Sequence, residues 1–131
     1  MPSYRCLTNN PYVLEKGLKS AEYRDETVLD LFLRIEQEIL KGYKLLTHPL
    51  SSSIRPDIGP YKTVLLSPVS GGFDENSFDM IEKAIQYTKD LYAVREDPLY
   101  LRWGDEAKAD FALVDWSIIE RALEVEQWAI Q

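Results

Sequence analysis

Apolar residues recur along this chain with two periods, and the switches between them mark out the elements. Val28, Leu31, Phe32, Ile35, Ile39 and Leu40 fall at helical spacing, which lines side chains along one face of an α-helix. The stripe predicts a helix over roughly 26–41. Thr27 with Asp30 makes a starting box, Asp25 offers another cap, and Lys41-Gly42 supplies a terminal cation and a stop. A second stripe runs through Phe78, Ile81, Ile85, Thr88 and Tyr92, with Asp74, Asn76 or Ser77 as its cap.

The runs between these helices read as strands. Tyr4-Arg5-Cys6-Leu7-Thr8 ends abruptly at Asn9-Asn10-Pro11, because Pro cannot continue a paired strand. A short helical turn is expected from Tyr12 to Lys16, closed by Gly17, and a short strand at Ala21-Glu22-Tyr23-Arg24. Tyr43-Lys44-Leu45-Leu46-Thr47 reads as a buried strand, and the apolar run from Tyr61 to Ser67 reads as another. The alternation of Leu99, Leu101 and Trp103 with Tyr100 and Arg102 suggests an extra strand before Gly104. The tail is helical and expected in two pieces, breaking near Asp115 or Ser117. Strands alternating with helices give a single α/β domain over 1–131, a layered fold with a parallel or mixed sheet of about four strands and a helical C-terminus. The connection 48–60 is short for a helical crossover and long for a hairpin, so the strand after it is a candidate for antiparallel pairing.

Composition narrows the function classes. A formal charge of −7 and no Lys/Arg cluster oppose nucleic acid as a partner. No stretch approaches the roughly 20 apolar residues of a membrane span, and the amino-terminal residues lack a signal-like apolar run, so the expected location is cytoplasmic. The single cysteine, Cys6, supplies neither a disulfide nor a CxxC pair. No metal site and no cofactor are expected.

Connections of about a dozen structureless residues are uncommon in compact domains and often functional. The 48–60 connection holds three prolines, the only histidine, three consecutive serines and an arginine. Hydroxyls, a guanidinium and exposed amides are groups that hold phosphate or carboxylate. Ligands of α/β sheets sit outside the carboxyl ends of strands. If the first strand and the 43–47 strand are parallel neighbours, Asn9 and Asn10 join the same site. The candidate ligand-binding residues are therefore Asn9, Asn10, Thr47, His48, Ser51, Ser52, Ser53, Arg55, Tyr61 and Lys62. The catalytic candidate is His48, because histidine is the side chain type best suited to acid–base work near neutral pH. The bland reading is that the histidine and serines only cap turns. Gly71-Gly72 reads as a turn, and Ser51 to Ser53 lack a nucleophile elbow. Trp103, Trp116 and Trp128 all lie in the last third, and an apolar C-terminal helix suggests a homodimer packed through it.

With these segments laid out, a resemblance is visible. Thr8-Asn9-Asn10-Pro11, the block Gly42-Tyr43-Lys44-Leu45-Leu46-Thr47-His48-Pro49-Leu50, then Arg55-Pro56 and Pro60-Tyr61-Lys62 resemble the GrdX family, and Asp110-Phe111-Ala112-Leu113-Val114-Asp115 is similar too. Ser52 stands where the family pattern suggests glycine, and Arg55 where it suggests lysine. The resemblance implies a bacterial accessory protein associated with glycine, sarcosine and betaine reductase gene clusters. Its implied partners are a small anion or proteins of the reductase complex, and it implies no assigned reaction and no catalytic residues. The competing expectation is an enzyme acting on a small phosphorylated or carboxylated metabolite, with His48 as acid–base and Arg55 holding the anion.

Overall fold

A computed structural model describes residues 4–15, 20–50, 59–93 and 104–130, with side chains described only as far as Glu124 in the last stretch. The elements follow in the order β1 (Arg5–Thr8), α1 (Pro11–Glu15), β2 (Glu22–Tyr23), α2 (Val28–Leu40), β3 (Thr63–Leu66), α3 (Glu75–Ala93) and α4 (Asp105–Ile130). The sheet has three strands in the order β2-β1-β3. β1 pairs parallel with β2, Leu7 opposite Glu22, and antiparallel with β3, Thr8 opposite Thr63 and Arg5 opposite Leu66. The sheet is therefore mixed, with the strand after the 48–60 connection running antiparallel to β1.

The expected fourth strand at 43–47 is reduced to one antiparallel bridge, Leu45 to Leu66. Leu46 N–H donates to the Leu65 carbonyl at 2.9 Å, and Ser67 N–H to the Lys44 carbonyl at 2.8 Å. Two of the segment's other donors go elsewhere. Lys44 N–H is taken by the Ser67 hydroxyl and Leu45 N–H by the buried Ser77 hydroxyl, each at 2.9 Å. Hydroxyls from distant segments thus stand where strand partners would. The expected strand at 99–103 lies outside the described residues.

Period-two alternation along β1 and β3 sorts the core into two halves. Leu7, Val64 and Leu66 face α2 and α3, joining Leu31, Phe32, Ile35, Ile39, Ile81 and Ile85. Cys6 and Leu65 face the other side, with Val13 of α1 and Trp116 and Ile119 of α4. β3 is buried at every position because helices cover both its faces. Each fully buried Leu, Ile or Phe stabilises the fold by roughly 1.5–3 kcal/mol, so the α2–α3 side holds the larger share. The helix expected at 26–41 is α2, and its Thr27 cap accepts a bond from Asp30 N–H at 3.1 Å. At the head of α3, Asp74 accepts from Ser77 N–H and from its hydroxyl, at 2.9 and 2.6 Å, which holds that carboxyl below its usual range.

α4 is continuous, in contrast to the two pieces expected. Asp115 and Ser117 do not start a new helix, because their side chains are engaged otherwise, Asp115 by Thr63 and Asn10 and Ser117 by its own helix. The Ser117 hydroxyl donates to the Leu113 carbonyl four residues back at 2.9 Å, a bond that competes with capping. Asp115 turns inward. Trp116 belongs to the core; Trp103 and the side chain of Trp128 lie outside the described residues.

The stop after α2 is fixed by Gly42, whose φ is +103°. A Cβ there would collide with the backbone carbonyl of Gly71, whose own N–H donates to the Gly42 carbonyl at 2.9 Å. Gly42→Ala is expected to cost about 2 kcal/mol from backbone strain and displaced contacts. A urea midpoint unchanged from wild type would contradict this.

Candidate functional site

At its carboxyl end β1 delivers two asparagines into a buried polar framework. Asn9 extends the β1–β3 ladder beyond its last pair. Its side-chain oxygen accepts from Lys62 N–H at 2.8 Å, and its amide donates to the carbonyls of Pro60 and Glu26, both at 2.9 Å. Asn10 reaches the opposite way. Its amide donates to Asp115 Oδ2 and to the Ala112 carbonyl of α4, both at 3.0 Å, and its oxygen accepts from Tyr12 N–H at 3.0 Å. In both residues the two side-chain donors are fully engaged. Asn9 therefore clamps the chain emerging from the 48–60 connection, and Asn10 pins α4 to the sheet.

Between them runs a hydroxyl relay. Thr63 donates to Asp115 Oδ2 at 2.6 Å, and Thr8 and Thr63 hydroxyls lie 2.7 Å apart. Each hydroxyl holds one proton. Since Thr63 gives its proton to the carboxylate, Thr8 donates to Thr63. The Lys62 carbonyl, 3.1 Å from the Thr8 hydroxyl, is then the lesser acceptor, while Asn10 N–H donates to that hydroxyl at 2.9 Å. Thr8, Asn10, Thr63 and Asp115 are all buried.

Two ionisable groups share this interior. Burial pushes the Asp115 carboxyl up, further than the bonds from Thr63 and Asn10 and the charge of Lys62 draw it down. Burial lowers the Lys62 ammonium from 10.5 to about 8, against the opposing pull of Asp115. Both shifts share one cause, desolvation of the charged form. On the same face of the sheet the Cys6 thiol is raised to about 12, chiefly by burial and then by Asp115 and Glu22. A thiol held that high is not a nucleophile at neutral pH.

The expected geometry of the loops holds in direction and differs in detail. β1 and the 43–47 segment are both antiparallel to β3, so they run the same way with β3 between them. They are not the neighbours that the sequence suggested, yet Asn9-Asn10 and His48 leave the same end of the sheet. Thr47 is turned to the backbone, its hydroxyl accepting Leu65 N–H at 3.0 Å. His48 is exposed, and its Nδ1 accepts Leu50 N–H at 3.1 Å. That bond requires the neutral ring to carry its proton on Nε2, so the outward nitrogen is a donor. Tyr61 is half-buried and Lys62 buried. Ser51, Ser52, Ser53 and Arg55 lie outside the described residues.

Sequence reasoning missed Thr8, Thr63 and Asp115 as partners of the asparagines. The available signal was phase: Asp115 falls on the inward stripe of α4 with Ala112, Trp116 and Ile119, where a carboxylate is buried only with donors to receive it. A second set of charges serves the scaffold. Arg34 of α2 donates to the carbonyls of Glu22 and Thr8 and pairs with Glu26 at 2.6 Å, stitching the ends of β1 and β2. Arg5 bridges Glu22 and Glu38 at 2.6 and 2.7 Å and lies over the Tyr43 ring. Among the described residues no cluster of His, Cys, Asp and Glu is arranged to hold a metal ion, and no helix is long and apolar enough to cross a membrane.

A family model described as GrdX-like protein matches residues 5–124, most of the chain. The chain belongs to the GrdX-like family. No curated protein and no solved structure matches it. The GrdX-like match begins at β1 and ends within α4, so it takes in the whole buried framework, the 48–60 connection and both of its anchors.

Proposed function

We propose that this GrdX-like protein is a non-catalytic accessory component of bacterial glycine, sarcosine or betaine reductase metabolism, located in the cytoplasm. It binds a small anion or a reductase protein through the 48–60 connection. One observation carries the reading: the two anchors of that connection are tied to the rigid end of the sheet, through Thr47 and Leu65 on one side and through Asn9, Pro60 and Lys62 on the other. A long loop on a fixed base is a common way to present binding groups. In this reading His48 Nε2–H, Arg55 and the serines 51–53 hold the ligand, Tyr61 and Lys62 form the inner wall, and Asn9 and Asn10 position them. An outward N–H suits holding an anion better than accepting a proton, which supports binding over acid–base chemistry at His48. The same reading retains a homodimer through α4, where Leu113 and Val114 are about half exposed, at 50% and 48%.

Thermal unfolding in the presence of phosphate, acetyl phosphate, glycine, sarcosine or betaine tests this. A ligand at a hundredfold excess over its Kd stabilises by about 2.7 kcal/mol. That gain is expected to disappear in His48→Ala and Arg55→Ala, whose unliganded stability stays near wild type. If no ligand shifts unfolding and no reductase subunit co-purifies, the reading fails. Turnover of any of these compounds, lost in His48→Ala, would replace it with an enzymatic one.

A further inference from the structure

Beside the framework, on the α1–α4 side, lies a separate open groove of about 300 Å³. Two half-buried tyrosines, Tyr12 and Tyr61, line it together with the apolar Pro11 and Ala112. Exposed Glu15 and Asp105 and the half-buried Lys108 complete the lining. Two carboxylates against one ammonium leave the lining with a formal charge of −1 (−2 + 1). The start of α4 adds roughly half a positive charge, and Glu106, next to Asp105 in its first turn, opposes that. Asp25 and Asp105 are close enough to Tyr61 to raise its hydroxyl further, after burial, so the field there is negative.

Aromatic faces beside carboxylates select a cation, and a planar guanidinium can stack on a ring while its edge meets an acid. The apolar lining suits the methylene stem of a long basic side chain. A free small molecule would be poorly enclosed here, since small-ligand sites bury most of their ligand. A side chain carried by a protein gains its remaining affinity from the surface around the groove. The formal charge of −7 on the whole chain steers a basic segment toward it. We propose that this groove receives an arginine side chain presented by a protein partner. The proposal is separable from the anion-binding reading: Tyr61 borders both sites, but Tyr12, Glu15 and Asp105 line this groove alone, and its charge is opposite.

Titration of the ¹⁵N-labelled protein with N-acetyl-argininamide, followed by amide chemical shifts, provides the test. Saturable shifts are expected at Tyr61, Ala109 and Ala112. Binding of the neutral isostere N-acetyl-citrullinamide should be weaker by about tenfold. Asp105→Asn, at an exposed position, should weaken argininamide binding without altering the melting temperature, and Tyr61→Leu should weaken it further. If Tyr61→Leu fails to fold, Asp105→Asn with Glu15→Gln carries the test. Equal binding of the citrulline compound, or no saturable shift, overturns the proposal. Tighter binding of tetramethylammonium than of argininamide also overturns it, in favour of a small-cation pocket. Phosphate binding with no arginine response would remove this groove and leave the loop site standing.

Discussion

Asp115→Ala is expected to destabilise the protein by about 3 kcal/mol, because the substitution removes two bonds to a buried carboxylate, each contributing roughly 1.5–3 kcal/mol. Thr63 and Asn10 lose their shared acceptor, and neither can turn to water in an interior where Asp115 is only 5% exposed. Asp115→Asn keeps an oxygen for one donor and should cost about 1 kcal/mol. Urea unfolding at neutral pH measures both. A loss below about 1 kcal/mol for the alanine variant would mean that the framework does not hold α4. Amide exchange in α4 separates loss of that docking from a general loss of stability, since a helix detached from the sheet exchanges faster than β1 and β3. The pH dependence has a definite sign. The folded-state carboxyl is raised, so its stabilising contribution is complete below the ordinary carboxylate range and is lost as pH rises through the raised value. Wild type should therefore gain on Asp115→Asn as the solution is acidified.

This framework also shows which parts of the molecule were legible in the sequence. α2 was readable with its cap because a stripe and a starting box are local features, written within a few residues of Thr27. The length of the 48–60 connection pointed to an antiparallel strand after it but left a parallel sheet open. The 43–47 segment was not legible, because two of its donors are claimed by Ser67 and Ser77, 23 and 32 residues away. α4 was misread at Asp115 and Ser117 because cap-forming residues look alike whether they begin a helix or turn inward within one. The asparagines illustrate the same limit. Asn9-Asn10-Pro11 announced the end of β1, while the partners of the two amides lie 51 and 105 residues further on. Their place at the carboxyl end of a strand marked them as ligand groups, while their distant partners engage both amides as clamps. What remained legible of the candidate site was its address, the end of the sheet from which both loops depart.

Lys62 provides the second large effect, visible in alkali. Its folded-state value is lowered from 10.5 to about 8 by burial, so the unfolded chain binds the proton more tightly. Stability from this group is complete above the unfolded value and is lost as pH falls through the folded one. The Lys62 contribution to stability should accordingly rise between pH 8 and 10.5, by about 3 kcal/mol over the whole window and about 2 kcal/mol by pH 9.5. The raised Cys6 thiol meanwhile draws total stability down above its ordinary value of 9.0. Tyrosines set the upper limit of the measurement. Tyr4, Tyr23 and Tyr61 are raised by burial first, and their stabilising contribution is lost at still higher pH. Lys62→Met isolates the lysine, because methionine fills a similar volume, stays neutral and leaves the Asn9 bond to the residue 62 backbone intact. At pH 7 the variant should match or exceed wild-type stability, since the buried ammonium costs more than Asp115 returns. By pH 9.5 wild type should have gained about 2 kcal/mol on it. Parallel stability curves for the two proteins from pH 7 to 9.5 would show that Lys62 is not desolvated in the folded state. The inner wall assigned to the anion site would then be an ordinary solvated ammonium, free to meet a ligand without first being uncovered.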